Sequence, residues 1–448
     1  MSITDIRNFL FALAAGLSIL SCNRNSFEGE IIAVEIEGDV TGSCEGASLI
    51  AIDPGHSNKK ATILSKGFES ACSPALSHDA RYLFFQGKRK GDEKWQIWMM
   101  DLRTKKNHLV THLPENCTNP ASLPDGTLIF SRDLSANGRQ YSALYRCTND
   151  GSDLSRITFN QGKNIHASVL AEGRILFSSS QIYPSITPPN LMIMRPDGTK
   201  SEIYHRGSTA FYPVSRGSES GQGYIYFVNN DGTLMRIQHR RPLHTAEKLA
   251  PEAGGIFAAV TALEGSECLV SWQSSADRPA AIFKFDANTK NAPVLVYQGE
   301  KHMTSPLLVR ALHERPRMLP SEVVAGKTTG LIMSQDINHS MLPADPGAGD
   351  DSTATHIRIS GTDGALAVVE VKKDGSFYLE MDADTPFRFE TLNSQGKTVR
   401  GPSGWIYLRP SERRACTGCH ADPELAPENI QPLAVKELPV LLSEKKKR

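Results

Sequence analysis

Ser73-Pro74-Ala75-Leu76-Ser77-His78-Asp79, running on through Tyr82-Leu83-Phe84-Phe85 to Gln96-Ile97-Trp98-Met99-Met100-Asp101, is a unit that this chain repeats. It has a Pro or small-residue opening, a polar turn, an apolar strand ending in an aromatic, a second apolar strand and an Asp-rich turn. Asn119-Pro120-Ala121-Ser122-Leu123-Pro124-Asp125-Gly126 leads in the same way to Leu128-Ile129-Phe130 and then to Leu144-Tyr145-Arg146. The aromatic anchors Phe85, Phe130, Phe177, Phe227 and Trp272 stand 45, 47, 50 and 45 residues apart. That period suits four-stranded propeller blades. Five units are visible. A sixth can be assembled from Leu49 to Asp53 and Ala61 to Leu64 at the front and Ser305 to Val309 at the back, which removes the open edge of a linear array. A pair of β-sandwiches with accidental spacing is the alternative.

The Ser-Pro-x-x-Ser-x-Asp opening and the Asp-Gly turns resemble TolB-like propeller repeats. The resemblance speaks to fold and says little about function. Past Pro320 the pattern changes to short strands, among them Ala365 to Val371, Ser376 to Met381 and Phe387 to Leu392, separated by turns such as Asp363-Gly364 and Lys373-Asp374-Gly375. Such spacing predicts a small antiparallel sandwich. The expected class is therefore mainly β: a six-bladed TolB-like β-propeller, a small antiparallel β-sandwich and a C-terminal haem-c segment. The expected divisions are 1–21 signal peptide, 22–46 tether and leading strand (Ile31 to Ile36), 47–319 propeller, 320–400 sandwich, and 401–448 haem-binding segment and tail.

Near the end stands Cys416-Thr417-Gly418-Cys419-His420, a C-x-x-C-H sequence and the attachment signal of one covalent haem c. On a helical turn, positions three apart share a face, so both thiols can reach one porphyrin edge. His420 is then the proximal iron ligand, and Gly418 adds no side chain where the ring passes the backbone. The alternatives are a zinc half-site, a redox dithiol or chance. A structural zinc site usually wants a second pair of ligands, and the sequence holds no second C-x-x-C. No βαβ unit surrounds the motif as a thioredoxin-like dithiol would need.

Asp374-Gly375-Ser376-Phe377-Tyr378, Asp384-Thr385-Pro386-Phe387-Arg388-Phe389, Trp405-Ile406-Tyr407-Leu408-Arg409-Pro410, the C-x-x-C-H and Ala426-Pro427-Glu428-Asn429 together resemble the propeller-to-haem region of the hydrazine synthase α-subunit family. The resemblance implies a six-bladed propeller joined to c-type haem. This chain has a single C-x-x-C-H, whereas the family's subunit carries a second haem at its catalytic centre. What carries over is architecture and haem binding.

No His or Met follows His420, so a distal ligand must come from upstream or be absent. His339, in a polar loop, is the candidate; Met333 and Met341 are substitutes, and His302 and His313 are weaker. A solvated loop histidine is the plain alternative for His339. Trp405 and Tyr407 alternate with Ile406 and Leu408, so one pair can wall the haem edge or fill the sandwich core. Arg409, Arg413 and Arg414 can pair haem propionates or stand exposed. His78 and Asp79 belong to a turn and should hydrogen-bond locally. No Ser-His-Asp triad, phosphate loop, H-E-x-x-H pair or calcium loop was found.

The 49 basic and 49 acidic residues balance, which argues against nucleic acid as a partner. Phe9 to Leu20 is an apolar run too short to span a bilayer comfortably. It ends in Ile19-Leu20-Ser21-Cys22, which resembles a bacterial lipobox and implies lipid attachment at Cys22; an ordinary secretory signal is the alternative. Either way the chain is exported, and the lipoprotein reading places it in the bacterial cell envelope, lipid-anchored and facing the periplasm or exterior. Cys44, Cys72, Cys117, Cys147 and Cys268 remain as disulfide candidates with open connectivity. Three functions are compatible: an electron-transfer and binding protein with a redox partner, a haem-dependent oxidoreductase acting on a small substrate, and a propeller scaffold with a structural haem. The first is preferred over a self-sufficient enzyme. Cys22→Ser should abolish fatty-acid labelling and release the protein from the membrane fraction; labelling that persists in the variant would exclude this anchor.

Overall fold

The computed structural model describes residues 27–38, 44–56, 60–136, 138–183, 185–249, 254–289, 291–312, 314–349, 351–419, 421–422, 424–425 and 429–442. Regular structure there is almost entirely β-strand; the helices are two short 3-10 turns, Pro346–Ala348 and Leu433–Lys436. The repeat has a backbone cause. Ser73, Asn119, His166 and Ser305 take left-handed conformations, with φ of 53°, 52°, 58° and 51°. At each one the pairing register of its strand shifts. An extra residue on one strand is a bulge, and it bends the strand. Pro74, Pro120 and Pro306 follow directly at three of them; a proline has no N–H to give the ladder and is tolerated at a bulge or edge. The Ser-Pro and Asn-Pro pairs thus mark the bend within a first strand rather than its opening.

Each bulged strand heads an antiparallel meander. Ser70–Leu76, Tyr82–Lys88, Gln96–Asp101 and Lys106–Leu109 form one sheet. Two more meanders, beginning at Cys117–Ser122 and Gly162–Val169, join at the single parallel bridge Ser142↔Lys163 into an eight-stranded sheet. Separate sheets begin at Ser218–Glu219 and Ile256–Ala262. In the remaining sheet His302–Leu308 pairs with Ile31–Ile36, which pairs with Ser48–Ile52 and so on to Thr62–Ile63. The two ends of the repeat region therefore meet in one sheet. Ile31–Ile36, expected ahead of the repeats, lies inside it, with Ile32 and Ala33 fully buried. Its strand is needed to bridge front and back.

The Asp-Gly turns behave as turn chemistry predicts: the Asp125 and Asp231 carboxylates accept from the Thr127 and Thr233 N–H, and Gly126 and Gly232 have φ of 81° and 74°. A cavity of about 200 Å³ is lined by residues from all these sheets or the segments leading into them, including Val34, Ser73, Asn119, His166, Arg216 and Val260. Cys44 and Cys72 form a disulfide across 28 residues, while Cys117, Cys147 and Cys268 are buried thiols.

The C-terminal unit is two four-stranded sheets face to face, with Ile332, Leu379 and Met381 of one packed on Ile357, Ile359 and Phe387 of the other. Only the second, made of Gly364–Glu370, His356–Gly361, Arg388–Leu392 and Thr398–Arg400, is wholly antiparallel. The first is mixed, correcting the expected antiparallel sandwich: Arg413–Gly418 runs parallel to Thr329–Asp336, and Val440–Leu442 runs parallel to Phe377–Asp382. Both strands return after long connections, and parallel pairs require such crossovers.

This unit is locked onto the eight-stranded sheet. Trp405 Nε1 donates to the Tyr183 carbonyl at 2.7 Å and its ring stacks on Tyr183. The buried Tyr407 hydroxyl lies 3.2 Å from the Ile157 carbonyl and 3.1 Å from that of Gly198. Asp197 accepts from the Ser321 hydroxyl and the Glu322 N–H at 3.1 and 2.6 Å. Trp405 and Tyr407 are thus interface anchors and do not wall a haem edge. Tyr407→Phe would leave buried carbonyls without their donor. It should destabilise the chain by about 1–3 kcal/mol, read as a lower denaturant midpoint; an unchanged midpoint would contradict this anchoring.

Candidate functional site

Between the strand Glu202–His205 and the C-terminal sandwich lies a cavity of about 470 Å³, within the size range of cofactor and ligand sites. Its position follows from strand alternation. Along Thr329–Asp336, Ile332 and Ser334 face the cavity, while Leu331 and Met333 face a groove on the other side with Tyr378 and Arg413. Cys416 is the register partner of Ser334, so it shares that face. The expected helical turn at the motif is not formed: Cys416 lies in a β-strand, because Arg413–Gly418 takes its backbone partners from Thr329–Asp336. Strand alternation alone would turn a residue three positions on to the opposite face. The strand ends at Gly418, the chain bends at Cys419, and both cysteines line the cavity. Gly418 is required here by a neighbouring backbone: a Cβ on it would stand 2.1 Å from the His339 carbonyl oxygen.

Ile332, Phe377, Phe389 and Ile406 make apolar walls, and Arg206, Arg400 and Arg414 bring cations to the rim. Cys416 and Cys419 are free thiols. Burial raises both pKa values, Cys419 to about 12 with further upward push from Cys416; the surface they keep faces the cavity. A redox dithiol wants a depressed thiol pKa, so this environment disfavours that alternative. Ser334 Oγ and Arg400 Nη1 are buried at the same cavity without a hydrogen-bond partner, and unpaired buried polar atoms are rare enough to need a reason. Two free thiols on one apolar wall, with guanidinium groups at the edge, fit a covalently held macrocycle bearing carboxylates.

The other expected residues divide. Arg414 lines the cavity, its guanidinium held by Glu412 at 2.6 and 3.1 Å. Arg409 does not: it packs into the interface, donating to the Arg156 carbonyl and pairing Asp384. Arg413 opens onto the opposite groove. The His339 backbone touches the motif at Gly418, but His339 is not among the cavity-lining residues. Met333 is on the wrong face of its strand, and Met341 is 65% exposed in a loop. His302 Nδ1 accepts from the Ala280 N–H in a distant sheet. Asp79 bonds Ser77 and Arg81 locally, as a turn residue should. Cys22, His313 and His420 lie outside the described residues. Phe389, Arg400 and Ser334 were missed, because nothing in their local sequence marks the face that a distant strand completes. Immediately beyond the motif, Asp422 bonds His244 Nε2 at 2.6 Å and Glu424 accepts from the Leu243 N–H at 2.7 Å. These contacts tie the tail to the loop that supplies Leu243 to the cavity.

A mainly β chain with this site has a recognisable relative. Residues 333–421, the span that carries most of the cavity wall, match the family model of the hydrazine synthase alpha subunit middle domain. Hydrazine synthase subunit alpha of Kuenenia stuttgartiensis is 21% identical over 515 aligned residues, covering 84% of this chain and 62% of that protein. The chain thus spans less than two thirds of the length of the curated relative it matches. The solved hydrazine synthase of the same organism superposes with a TM-score of 0.80 at 19% identity, over 93% of this chain and 72% of that one. TolB from Acinetobacter baumannii gives 0.46 at 15% identity, over 62% and 66%. The resemblance to the hydrazine synthase alpha subunit, first visible in the C-terminal blocks, holds along the fold.

Gly418→Ala would drive a methyl group into the His339 backbone. Overpacking of this kind should cost about 1–3 kcal/mol and displace the cysteine-bearing bend, lowering the unfolding midpoint. A midpoint equal to wild type would show that the close approach is not real.

Proposed function

We propose that this chain is an exported redox protein: a six-bladed propeller that holds one covalent haem c between itself and a C-terminal sandwich and passes electrons to a protein partner. The observation that carries this reading is the pair of free thiols, Cys416 and Cys419, on one wall of the 470 Å³ interface cavity. Cys416 and Cys419 would form the thioethers, and His420 would supply the proximal imidazole. Ile332, Phe377, Phe389 and Ile406 would exclude water from the ring face, and Arg206, Arg400 and Arg414 would take its carboxylates. The group itself supplies one-electron chemistry when bound; the chain sets its orientation, burial and polarity. The Cys44–Cys72 disulfide suits the oxidising compartment that lipid attachment at Cys22 would imply. The relative's name, a synthase subunit, supports a protein partner for this chain.

A specific observation favours a second reading, a haem-dependent oxidoreductase. None of the described residues lining the cavity is a His or a Met. With no side chain of that kind offered from within, the cavity can admit a small molecule. Hydrazine formation, the relative's activity by its name, would be one such chemistry; the single C-x-x-C-H is what weighs against it.

Intact mass after export in cells with haem-maturation machinery should show one haem per chain, and none in Cys416→Ala/Cys419→Ala. Wild-type protein of apo mass under those conditions would defeat the proposal.

A further inference from the structure

The smaller cavity, enclosed by the first strands of the propeller sheets, holds an unbalanced charge. Arg216 reaches into it from the segment ahead of Ser218–Glu219. Its Nη1 donates to the Pro74 carbonyl at 3.3 Å and its Nη2 to the Pro120 carbonyl at 3.0 Å. Both carbonyls belong to the bulges that follow Ser73 and Asn119. These are neutral acceptors, and no Asp or Glu is among the described residues lining the cavity. A guanidinium carries five N–H donors, so donors remain. The residue is half-buried and lines the cavity. Burial lowers its pKa to about 10 with no carboxylate acting in the other direction.

A second group points the same way. His166, at the equivalent bulge of the sheet that begins at Gly162–Val169, lines the cavity, and its Nδ1 is buried without a partner. Burial first, then Arg216 and Lys163, hold its pKa down to about 3, so it is a neutral imidazole able to give a hydrogen bond. Ser73, Ser215 and Thr261 add polar side chains to the same wall. A cation drawn partly out of water without a counter-charge is costly, and the usual remedies are a paired anion or an apolar replacement. The chain has neither, and yet keeps a space beside the cation.

We propose that this axial cavity binds a small carboxylate anion, gripped by Arg216 and oriented by His166. The volume of about 200 Å³ admits a compact monocarboxylate, and a guanidinium offers a planar two-point fit to that group. The site lies apart from the cysteine-lined cavity and shares no residue with it.

Acetate is the probe. The full chain is melted across a sodium acetate series held at constant ionic strength with sodium chloride. Wild type should show a saturable rise in Tm. Arg216→Met should show none, whatever its stability without acetate, which also reflects the loss of its bonds to the Pro74 and Pro120 carbonyls. No saturable rise in wild type, or an equal rise in Arg216→Met, would overturn the proposal. Should Arg216→Met fail to fold, wild-type crystals grown with and without acetate decide: difference density bridging Arg216 and His166 supports the site, and water alone there overturns it.

Discussion

Glu412 is 1% exposed, and the C-terminal unit is aligned around its carboxylate. One carboxylate oxygen accepts from the Lys200 N–H at 2.8 Å and from the Arg414 guanidinium at 2.6 and 3.1 Å; the other accepts from the Arg409 N–H at 2.8 Å. A buried carboxylate is tolerable only when its lone pairs are filled in this way. Lys200 lies in the turn between Asn190–Met194 and Glu202–His205 of the eight-stranded sheet, whereas Arg409 precedes the cysteine-bearing strand and Arg414 lies at its start. The network therefore fixes where Arg413–Gly418 starts relative to the propeller. Through the register Leu331↔Arg413 and Ser334↔Cys416 it also fixes which way Cys416 faces. Removing the carboxylate would leave Arg414 unpaired at the cavity rim, and would free the strand that brings the thiols to the wall.

The cavity is thus a product of docking. Glu202, Ile203 and Leu243 come from the repeat region and Ile332, Phe377 and Cys416 from the sandwich, so neither part holds the site alone. Tyr407, Trp405 and Asp197 hold the two together by hydrogen bonds between side chains and backbone, the first two donating to carbonyls and Asp197 accepting from the Glu322 N–H. Such bonds are specific in position, because a buried carbonyl or N–H without its partner is penalised more than the bond is rewarded. Sites at interfaces between structural units are common for cofactors. Here the arrangement would place a redox group within reach of partner surfaces on either unit.

Much of the fold was legible because it is local and repetitive. Strands such as Tyr82–Lys88 and Ile175–Gln181 show as apolar runs, and the spacing of Phe85, Phe130 and Phe177 carries the meander period. The Ser73-Pro74 and Asn119-Pro120 pairs were visible as punctuation, but their meaning, a left-handed bulge inside a strand, needed the pairing register. What was not legible depends on distant partners. Spacing of three suggested a helical turn at Cys416 and Cys419; a strand some eighty residues upstream in sequence imposed β-structure instead. The alternation of Trp405 and Tyr407 with Ile406 was read correctly as two faces. Only the docked structure shows that Ile406 faces the cavity and the aromatic pair faces the interface. Arg216 left no sequence signal at all, since its burial arises where several sheets converge.

The claim on which this account rests most heavily is that Cys416 and Cys419 hold a haem through two thioether bonds. The reduced pyridine haemochrome spectrum of the purified full-length protein, exported with maturation machinery, tests it directly. Saturating both vinyl groups shifts the α-band to shorter wavelength than in a haem held without thioethers. We predict the fully shifted, c-type band, at one haem per chain and retained after acid–acetone extraction. A band at the unshifted position, or haem lost to the organic phase, would contradict the account.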